Sequence, residues 1–193
     1  MKILILVASP KEIEGFDLAK RGVKVVFTGI GKLNAFLNTR AVLQKDHFDK
    51  IINIGTCGSD KYQIGTILHP SIIKQGDAFA LHDFPCPTFE VSGDKNVSIL
   101  TGDNFINKQP NEEGSLVLPE KMENFDAYDM EAYAIALAAA FAPQNLHFIK
   151  IVSDNLISSV SEWEVSAKNL SAKLAFETER FIQENFISNY SII

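Results

Sequence analysis

Three acidic residues stand close to the ends of apolar, strand-like runs, and their carboxyl groups could do chemistry. Glu12 comes just past the first such run, Glu131 lies in the segment AYDMEAYA, and Asp154 follows the run LHFIKIV. Two carboxyl groups in different environments can divide the roles of acid and base. Cleavage at an anomeric carbon uses that division, because one group protonates the leaving group while the other activates water. Glu12 and Asp154 are therefore candidate catalytic residues.

Each of these two acids also has an ordinary structural explanation when it is taken alone. Glu12 is then an exposed acid at the beginning of a helix, and Asp154 is an N-cap residue at a strand-to-helix junction. The interest lies in the pair, because both carboxyl groups would stand on the same edge of a sheet.

Asp129 and Glu131 lie two residues apart, at the mouth of a long apolar stretch. On one helix their side chains would point to different faces. At a strand-to-helix junction, however, Asp129 can end the strand while Glu131 reaches from the first helical turn into a crevice, where the helix dipole favours an acid. A carboxylate that accepts from two neighbouring hydroxyl groups can hold a ribose diol, and Met130 would supply soft apolar surface beside it.

Two glycine-rich segments also follow strand-like runs. TGIGK at residues 28–32 leaves backbone N–H groups open to an anion or a hydroxyl group, or is simply a structural turn. It lacks the spacing of a P-loop and the third glycine of a dinucleotide fingerprint. In IGTCGS at residues 54–59, Thr56 could bind a sugar or a small anion, or act as a helix N-cap within a tight turn.

The segment TGDNFIN and the serine before Asp154 add three candidates for substrate binding. Phe105 comes just after a strand end, where its ring could stack on a planar base, although core packing is the commoner role of a phenylalanine. Ile106, next to Phe105, and Ser153, next to Asp154, are the other two candidates for substrate binding.

Composition and charge argue against several classes of partner. The 193 residues are 46% hydrophobic with a net charge of −6, and no cluster of lysine and arginine suits the backbone of a nucleic acid. Cys57 and Cys86 lack a zinc-like spacing, so neither a metal nor a cofactor is expected. The apolar start of MKILILVASPKE is too short for a signal peptide, and no run reaches the roughly 18 residues of a membrane span. We expect a cytoplasmic protein with reduced thiols and no membrane partner.

Strand-like and helix-like segments alternate along the chain. The mostly continuous apolar runs typical of strands buried on both faces cover residues 2–8, 23–28, 50–54, 66–74, 97–101 and 146–152. Helical patterns cover residues 33–45, 130–141 and 162–186. Residues 83–96 and 108–123, which are rich in proline, glycine, asparagine and charge, are expected to form loops.

This alternation predicts an α/β fold, organised as a single domain over residues 1–193, with a central twisted sheet and helices on both faces. Ligands of such sheets bind at the carboxyl ends of the strands, which is where the candidate residues stand.

The order of these motifs, more than any one of them, resembles the purine nucleoside phosphorylase and nucleosidase superfamily, and most of all the 5′-methylthioadenosine/S-adenosylhomocysteine nucleosidases. The resemblance covers residue 3 to about residue 155 and is carried by Glu12, TGIGK, INIGTCGS, TGDNFIN, YDMEAYAIA and KIVSDN. It implies a mixed, largely parallel sheet that closes partly into a barrel. It also implies a small-molecule purine nucleoside as substrate and a homodimer as the assembly.

The resemblance also implies roles for the three acids. Asp154 matches the acid that donates a proton to N7 of the leaving purine. Glu12 matches the acid that activates the attacking water. Glu131 matches the carboxylate that binds the ribose hydroxyl groups, with Met130 against the sugar.

Three further residues acquire roles in the same way. Phe105 and Ile106 match the segment that stacks on the base and pairs with it through its backbone. Thr56 stands where the family has a small hydroxyl residue near the site of the nucleophile.

The comparison favours hydrolysis over phosphorolysis. Related phosphorylases hold phosphate with arginines, one of them at the position of Asn53. The three arginines, Arg21, Arg40 and Arg180, do not follow strand ends. A phosphate dianion without an arginine clamp would be poorly held, and Glu12 would repel it. A purine nucleoside phosphorylase and a non-catalytic protein that binds or stores nucleosides are the alternatives.

The chain departs from the family pattern at several positions. Asp129 replaces the commoner glutamate, Lys150 stands where an arginine is common, and Leu156 replaces a small residue. The segments that help form the pocket for the 5′ substituent and the subunit contact in the family are shortened here.

Three apolar side chains could serve a subunit interface or simply anchor loops. They are Phe84, Phe89 and Trp163.

Overall fold

The computed structural model describes residues 1–77, 88–118, 124–140 and 145–187, so Phe84, Cys86 and Phe141 lie outside the described residues. The strands are β1 (Ile3–Val7), β2 (Val23–Phe27), β3 (Lys50–Gly58), β4 (Ile67–Leu68), β5 (Pro70–Gln75), β6 (Phe89–Glu90), β7 (Asp94–Thr101), β8 (Gln109–Pro110), β9 (Leu116–Val117), β10 (Ala127–Asp129) and β11 (Leu146–Asp154). The helices are a 3-10 helix (Pro10–Ile13), α1 (Lys32–Lys45), α2 (Ala132–Ala138) and α3 (Val160–Ile182), which continues as a π-helical turn (Gln183–Ile187).

Strands β1, β3 and β11 form the buried centre of the sheet, since every residue of β1 and all but one residue of β3 and of β11 are buried. β1 pairs in parallel with β2 and β3, and β3 pairs in parallel with β11. Successive side chains alternate between the two faces. Leu4 and Leu6 pack in the layer that holds α1 and α2, whereas Ile3, Ile5 and Val7 pack in the layer that holds α3. Helices therefore cover both faces of the sheet.

The second half of the sheet is mixed. Its strands continue the order β2-β1-β3 with β10-β7-β5-β6, and β11 pairs with both β3 and β4. β10 pairs in parallel with β7 and meets the end of β3 in antiparallel fashion, with Tyr128 opposite Gly58. Over the described residues the strand order does not close on itself. The predicted α/β class, with a mixed and largely parallel sheet flanked by helices, is confirmed.

Two of the predicted strands have different limits in the structure. The run at 50–54 was expected to end at Gly55, but β3 continues to Gly58 because β11 extends alongside it and supplies hydrogen-bond partners. The run at 66–74 divides into β4 and β5 at His69. The first part pairs with β11 and the second with β6 and β7, so they join different neighbours.

The helices also differ from their predicted limits. α2 is shorter than 130–141 and begins after Glu131, which takes the N-cap position. α3 begins at Val160 rather than 162, because Ser159 and Glu162 form a capping box there. The predicted loops 83–96 and 108–123 contain β6, β8, β9 and the start of β7. Within the described ranges, no helix combines the length and the apolar character needed to cross a membrane.

Candidate active site

The carboxyl ends of β1, β3, β10 and β11 surround a cavity of about 200 Å³. The predicted catalytic and substrate-binding residues all line it, namely Glu12, Thr56, Phe105, Ile106, Asp129, Met130, Glu131, Ser153 and Asp154. Ile30, Val160 and Trp163 also line the cavity and were not among the predicted site residues. The fold thus brings residues from both halves of the chain to one edge of the sheet.

Glu12 lies in the 3-10 helix after β1, and only 3% of it is exposed, so it is not the surface acid of the ordinary explanation. Its Oε1 accepts hydrogen bonds from the backbone N–H of Thr56 at 2.7 Å and from the Thr56 hydroxyl at 2.8 Å. Its Oε2 accepts one from the N–H of Ser9 at 3.2 Å. The hydroxyl of Thr56 therefore binds a carboxylate of the protein itself, and β3 leaves no helix for it to cap.

Asp154 is the last residue of β11 and is buried as well. Its Oδ1 accepts the N–H of Leu156 at 3.0 Å, and its Oδ2 lies 2.9 Å from the hydroxyl of Ser153. That hydroxyl also lies 3.2 Å from the carbonyl oxygen of Cys57, so its one proton can serve either acceptor. Asp154 is not the helix N-cap, because Ser159 caps α3.

Two glycines of β3 are required by the close approach of the two candidate catalytic acids. A Cβ atom at Gly55 would lie 2.9 Å from Oε1 of Glu12. A Cβ atom at Gly58 would lie 2.8 Å from Oδ1 of Asp154 and would also overlap the side chain of Leu156. The glycines of IGTCGS therefore make room for carboxylates against a strand, a role that the sequence alone did not indicate.

Glu131 is buried at the N-cap of α2, and its Oε1 accepts the backbone N–H of Gly31 at 2.8 Å. Gly31 has a φ of 89°, in the region that favours glycine, so TGIGK combines a structural turn with a cradle for a carboxylate. Burial and then the negative charge of Asp129 raise the pKa of Glu131 to about 8, although Lys150 opposes them. Glu131 can therefore carry a proton near neutral pH, so that it both donates to and accepts from hydroxyl groups.

A small ionic cluster holds TGIGK against TGDNFIN. The ammonium group of Lys32 pairs with Asp77 and lies 3.7 Å from Asp103, while the backbone N–H of Lys32 donates to Asp103 at 2.7 Å. The N–H of Asp103 donates to Asp77 at 2.8 Å, which closes the cluster. Because Gly31 precedes Lys32, this cluster also fixes the N–H group that binds Glu131.

Asp129 ends β10, as the sequence predicted, and its side chain is tied to three neighbours. Its Oδ1 accepts the hydroxyl of Thr101 at 2.7 Å, and its Oδ2 accepts the N–H of Ala132 at 2.9 Å at the start of α2. The ammonium group of Lys150 lies 2.8 Å from the same Oδ2, and both side chains are buried. Asp129 therefore secures the peptide turn that carries Met130 and Glu131.

Part of the cavity lining is apolar. Phe105 and Ile106 lie half-buried on the loop that follows β7, and Ile106 packs against a cluster that includes Tyr128 and Leu156. Leu156 has a φ of 65°, which is unusual for a residue with a side chain. Apolar and aromatic side chains such as these suit a planar heterocycle.

Trp163 was expected to contribute to an interface or to anchor a loop, but the structure places it in the site. It lies half-buried near the start of α3, lines the cavity, and donates its indole N–H to the hydroxyl of Thr56 at 2.9 Å. Phe89 lies in β6 and packs against Tyr133, with ring centroids 5.3 Å apart. Trp163 lies one turn into the helix that follows Asp154, and this position could have identified it as a site residue.

The cavity contains acids without a matching cation in its lining. Among the described residues, four carboxylates line it and no lysine, arginine or histidine does. Asn53, at the position of the phosphorylase arginine, is buried in the sheet and donates to the carbonyl oxygen of Leu6 at 3.0 Å. Arg40 instead donates to a carbonyl oxygen of α2, and Arg180 pairs with Glu177 on α3.

Solved structures with the same fold are known, although no protein-family model and no curated protein sequence matches the chain. The 5′-methylthioadenosine/S-adenosylhomocysteine nucleosidase of Helicobacter pylori is 18% identical with a TM-score of 0.76, over 95% of this chain and 98% of that one. The nucleosidase of Colwellia psychrerythraea 34H, solved in complex with adenine, is 20% identical with a TM-score of 0.73, over 91% of each chain.

A protein with a different name is equally similar. The futalosine hydrolase of Helicobacter pylori is 18% identical with a TM-score of 0.76, over 95% of this chain and 97% of that one. At these identities the similarity establishes the fold, which spans nearly the whole length of each of these proteins.

Proposed function

We propose that the protein hydrolyses the N-glycosidic bond of a purine nucleoside of the 5′-methylthioadenosine/S-adenosylhomocysteine type, releasing the free base and the ribose derivative. The observation that carries this proposal is the meeting of Glu12, Glu131 and Asp154 around one cavity with an apolar wall. Three carboxyl groups in separate hydrogen-bond environments supply an acid, a base and a sugar ligand.

In the proposed reaction, the bond between the purine and C1′ breaks and its electron pair goes to the base. Asp154 donates a proton to N7, which makes the purine a neutral leaving group. A water molecule attacks C1′, and Glu12 accepts its proton. Oε1 of Glu12 is occupied by both donors of Thr56, whereas Oε2 accepts a single longer bond from Ser9, so Oε2 is the oxygen with capacity for that proton.

Glu131 is proposed to hold the ribose hydroxyl groups. Its bond to Gly31 uses one lone pair of Oε1, and the side chain lines the cavity, where its other lone pairs can meet the ribose hydroxyl groups. Met130 would lie against the sugar, while Phe105 and Ile106 would face the base. The structural neighbours support a purine ligand, because several of them were solved with adenine or a nucleoside analogue bound.

Water is the proposed nucleophile because the described lining offers phosphate no cationic partner and the carboxylate of Glu12 would repel it. Four carboxyl groups line the cavity, and the described lining contains no cationic side chain. Phosphate sites normally hold the anion with arginine, lysine or several open N–H groups. Lys150, which is the buried cationic side chain among the described residues, is already paired with Asp129.

We also propose that the protein works in the cytoplasm as a homodimer. Apolar side chains are exposed on α1, where Leu33 is 70% and Leu37 is 55% exposed. Analytical ultracentrifugation tests the dimer, and a single species at the mass of the monomer would contradict it.

A substrate panel tests the proposed activity. The protein is incubated with methylthioadenosine, adenosylhomocysteine, adenosine, inosine and futalosine, with and without phosphate, and the free base is measured. Base release that does not depend on phosphate supports hydrolysis, and strict dependence on phosphate would establish a phosphorylase. Calorimetric binding without any base release would instead establish a non-catalytic nucleoside-binding protein.

A further inference from the structure

We propose that Trp163 is a positioning residue for Glu12 and acts through the hydroxyl of Thr56. This inference rests on the proposed function, because it assigns a partner to the group that would activate water. The indole N–H of Trp163 lies 2.9 Å from Oγ1 of Thr56, and Oγ1 lies 2.8 Å from Oε1 of Glu12. The three side chains thus form a continuous hydrogen-bond chain beside the cavity that all three of them line.

The direction of this chain is fixed by the chemistry of the indole ring. An indole N–H can only donate, so it cannot accept the proton of the Thr56 hydroxyl. That proton must therefore point to Oε1 of Glu12, and the Thr56 oxygen acts as the acceptor for Trp163. Without Trp163, the hydroxyl could rotate and donate elsewhere.

This direction determines which oxygen of Glu12 can act as base. The N–H and the hydroxyl of Thr56 both donate to Oε1, which fills its two lone pairs. Oε2 has a single bond, from Ser9 at 3.2 Å. Trp163 therefore helps to hold Glu12 with one oxygen anchored in β3 and the other available to a water molecule.

The local structure explains why α3 presents Trp163 at this point. The capping box of Ser159 and Glu162 starts the helix immediately before it. α3 packs along the 3-10 helix that carries Glu12, and two ion pairs bridge them, from Lys11 to Glu164 at 2.5 Å and from Lys168 to Glu14 at 3.0 Å. Because these pairs are exposed, they orient the two elements more than they stabilise them.

A double-mutant cycle separates this role from simple packing. Trp163→Phe keeps an aromatic ring and removes the donor, whereas Thr56→Val removes the hydroxyl and keeps the shape of the side chain. Loss of one such hydrogen bond should lower kcat by about five- to tenfold in Trp163→Phe, with a smaller change in KM. If Trp163 acts through the hydroxyl, adding Trp163→Phe to Thr56→Val should lower kcat no further. With serine at position 56 a hydroxyl group is present again, so adding Trp163→Phe to Thr56→Ser should again lower kcat.

A spectroscopic measurement tests the hydrogen-bond chain without relying on turnover. The chain has one tryptophan, so its indole N–H gives a single resonance in a ¹H–¹⁵N spectrum. Thr56→Val should shift this resonance and accelerate its exchange with solvent, whereas Phe176→Leu, at an exposed position of the same helix, should not.

The outcomes distinguish this inference from the proposed function. Multiplicative effects of the two substitutions on kcat, or an indole resonance that Thr56→Val leaves unchanged, would overturn the role of Trp163 even if the wild-type protein hydrolyses nucleosides. Absence of hydrolysis by the wild-type protein would overturn the proposed function and the catalytic role of Trp163 together. The shifted indole resonance would then establish only the hydrogen-bond chain.

Discussion

The ammonium group of Lys150 lies 2.8 Å from Oδ2 of Asp129, and both side chains are buried. Both residues depart from the pattern of the family that the sequence resembles, in which glutamate and arginine are common at these positions. The structure shows that the two residues contact each other and form a buried ion pair. Burial alone would lower the pKa of Lys150, but the charges of Asp129 and Glu131 outweigh it and raise the pKa above its ordinary value. Lys150 therefore remains charged at neutral pH.

Breaking this ion pair should be costly. Lys150→Met leaves the carboxylate of Asp129 buried without its countercharge, and we expect a loss of about 3–5 kcal/mol in the free energy of unfolding, measured with urea. Adding Asp129→Asn removes the unpaired charge and should recover part of that loss, because asparagine can replace only one of the two acceptor oxygens. Lys168→Met, which breaks the exposed pair with Glu14, is the control and should have a much smaller effect. Equal losses in Lys150→Met and Lys168→Met would contradict the importance of burial.

Glu131 should make stability depend on pH. Its pKa is about 8 in the folded protein and near 4.5 when exposed, so the folded state keeps a proton that the unfolded state has lost between these values. The free energy of unfolding should therefore fall as pH rises from about 4.5 to about 8, and the contribution should be constant above that range. Glu131→Gln removes this titration and can still accept the N–H of Gly31.

Thermal unfolding of Glu131→Gln and of the wild-type protein across this range provides the measurement. The stability advantage of the variant should grow with pH and reach about 1.4 kcal/mol or more at alkaline pH, since that is the equivalent of one pKa unit. Glu112→Gln, in the exposed turn between β8 and β9, should not alter the pH profile. A constant difference between Glu131→Gln and the wild-type protein would argue against a titrating Glu131.

Gly58 should be essential because a side chain there would displace Asp154. In Gly58→Ala the new Cβ would meet Oδ1 of Asp154 and the side chain of Leu156. We expect kcat to fall by about tenfold or more, because a small displacement of a proton donor is enough for such a loss. Gly102→Ala is a matched control, since its Cβ would make only ordinary contacts with Asp77 at 3.7 Å. Full activity in Gly58→Ala would show that the position of Asp154 does not matter for turnover.

Asp154 itself should contribute as a general acid. Asp154→Asn keeps the size of the side chain and removes the transferable proton, so we expect kcat to fall by about 10² or more. The variant should still bind a purine nucleoside, as measured by calorimetry, because the wall of Phe105 and Ile106 is untouched. A variant with wild-type kcat would exclude Asp154 as the proton donor.

The acids and their order could be predicted because the sequence pattern is local. Glu12 and Asp154 each follow a continuous apolar strand, and parallel strands bring such positions to one edge of the sheet. The same reasoning placed Asp129 at the end of a strand and Glu131 at the start of a helix. The order of the motifs, through the family resemblance that it carries, then predicted the fold, including the mixed sheet.

The contacts between distant segments could not be predicted in this way. Lys150 lies within an apolar strand, and nothing in its neighbours reveals that its partner is Asp129. The glycines of IGTCGS indicated a turn, because the carboxylates that exclude a Cβ atom come from elsewhere in the chain. Helical periodicity placed Trp163 on α3 but did not indicate which face would meet Thr56. These features depend on packing across the sheet.

The most direct test follows the oxygen atom that attacks the sugar. Wild-type protein is incubated with methylthioadenosine in water labelled with heavy oxygen, in the presence of phosphate, and the products are identified by mass spectrometry. Hydrolysis at the cavity formed by Glu12, Glu131 and Asp154 should release adenine and a methylthioribose that carries one labelled oxygen, with the yield greatly reduced in Asp154→Asn. A sugar 1-phosphate without label, or the absence of adenine across the whole panel of nucleosides, would contradict the assignment of a nucleoside hydrolase.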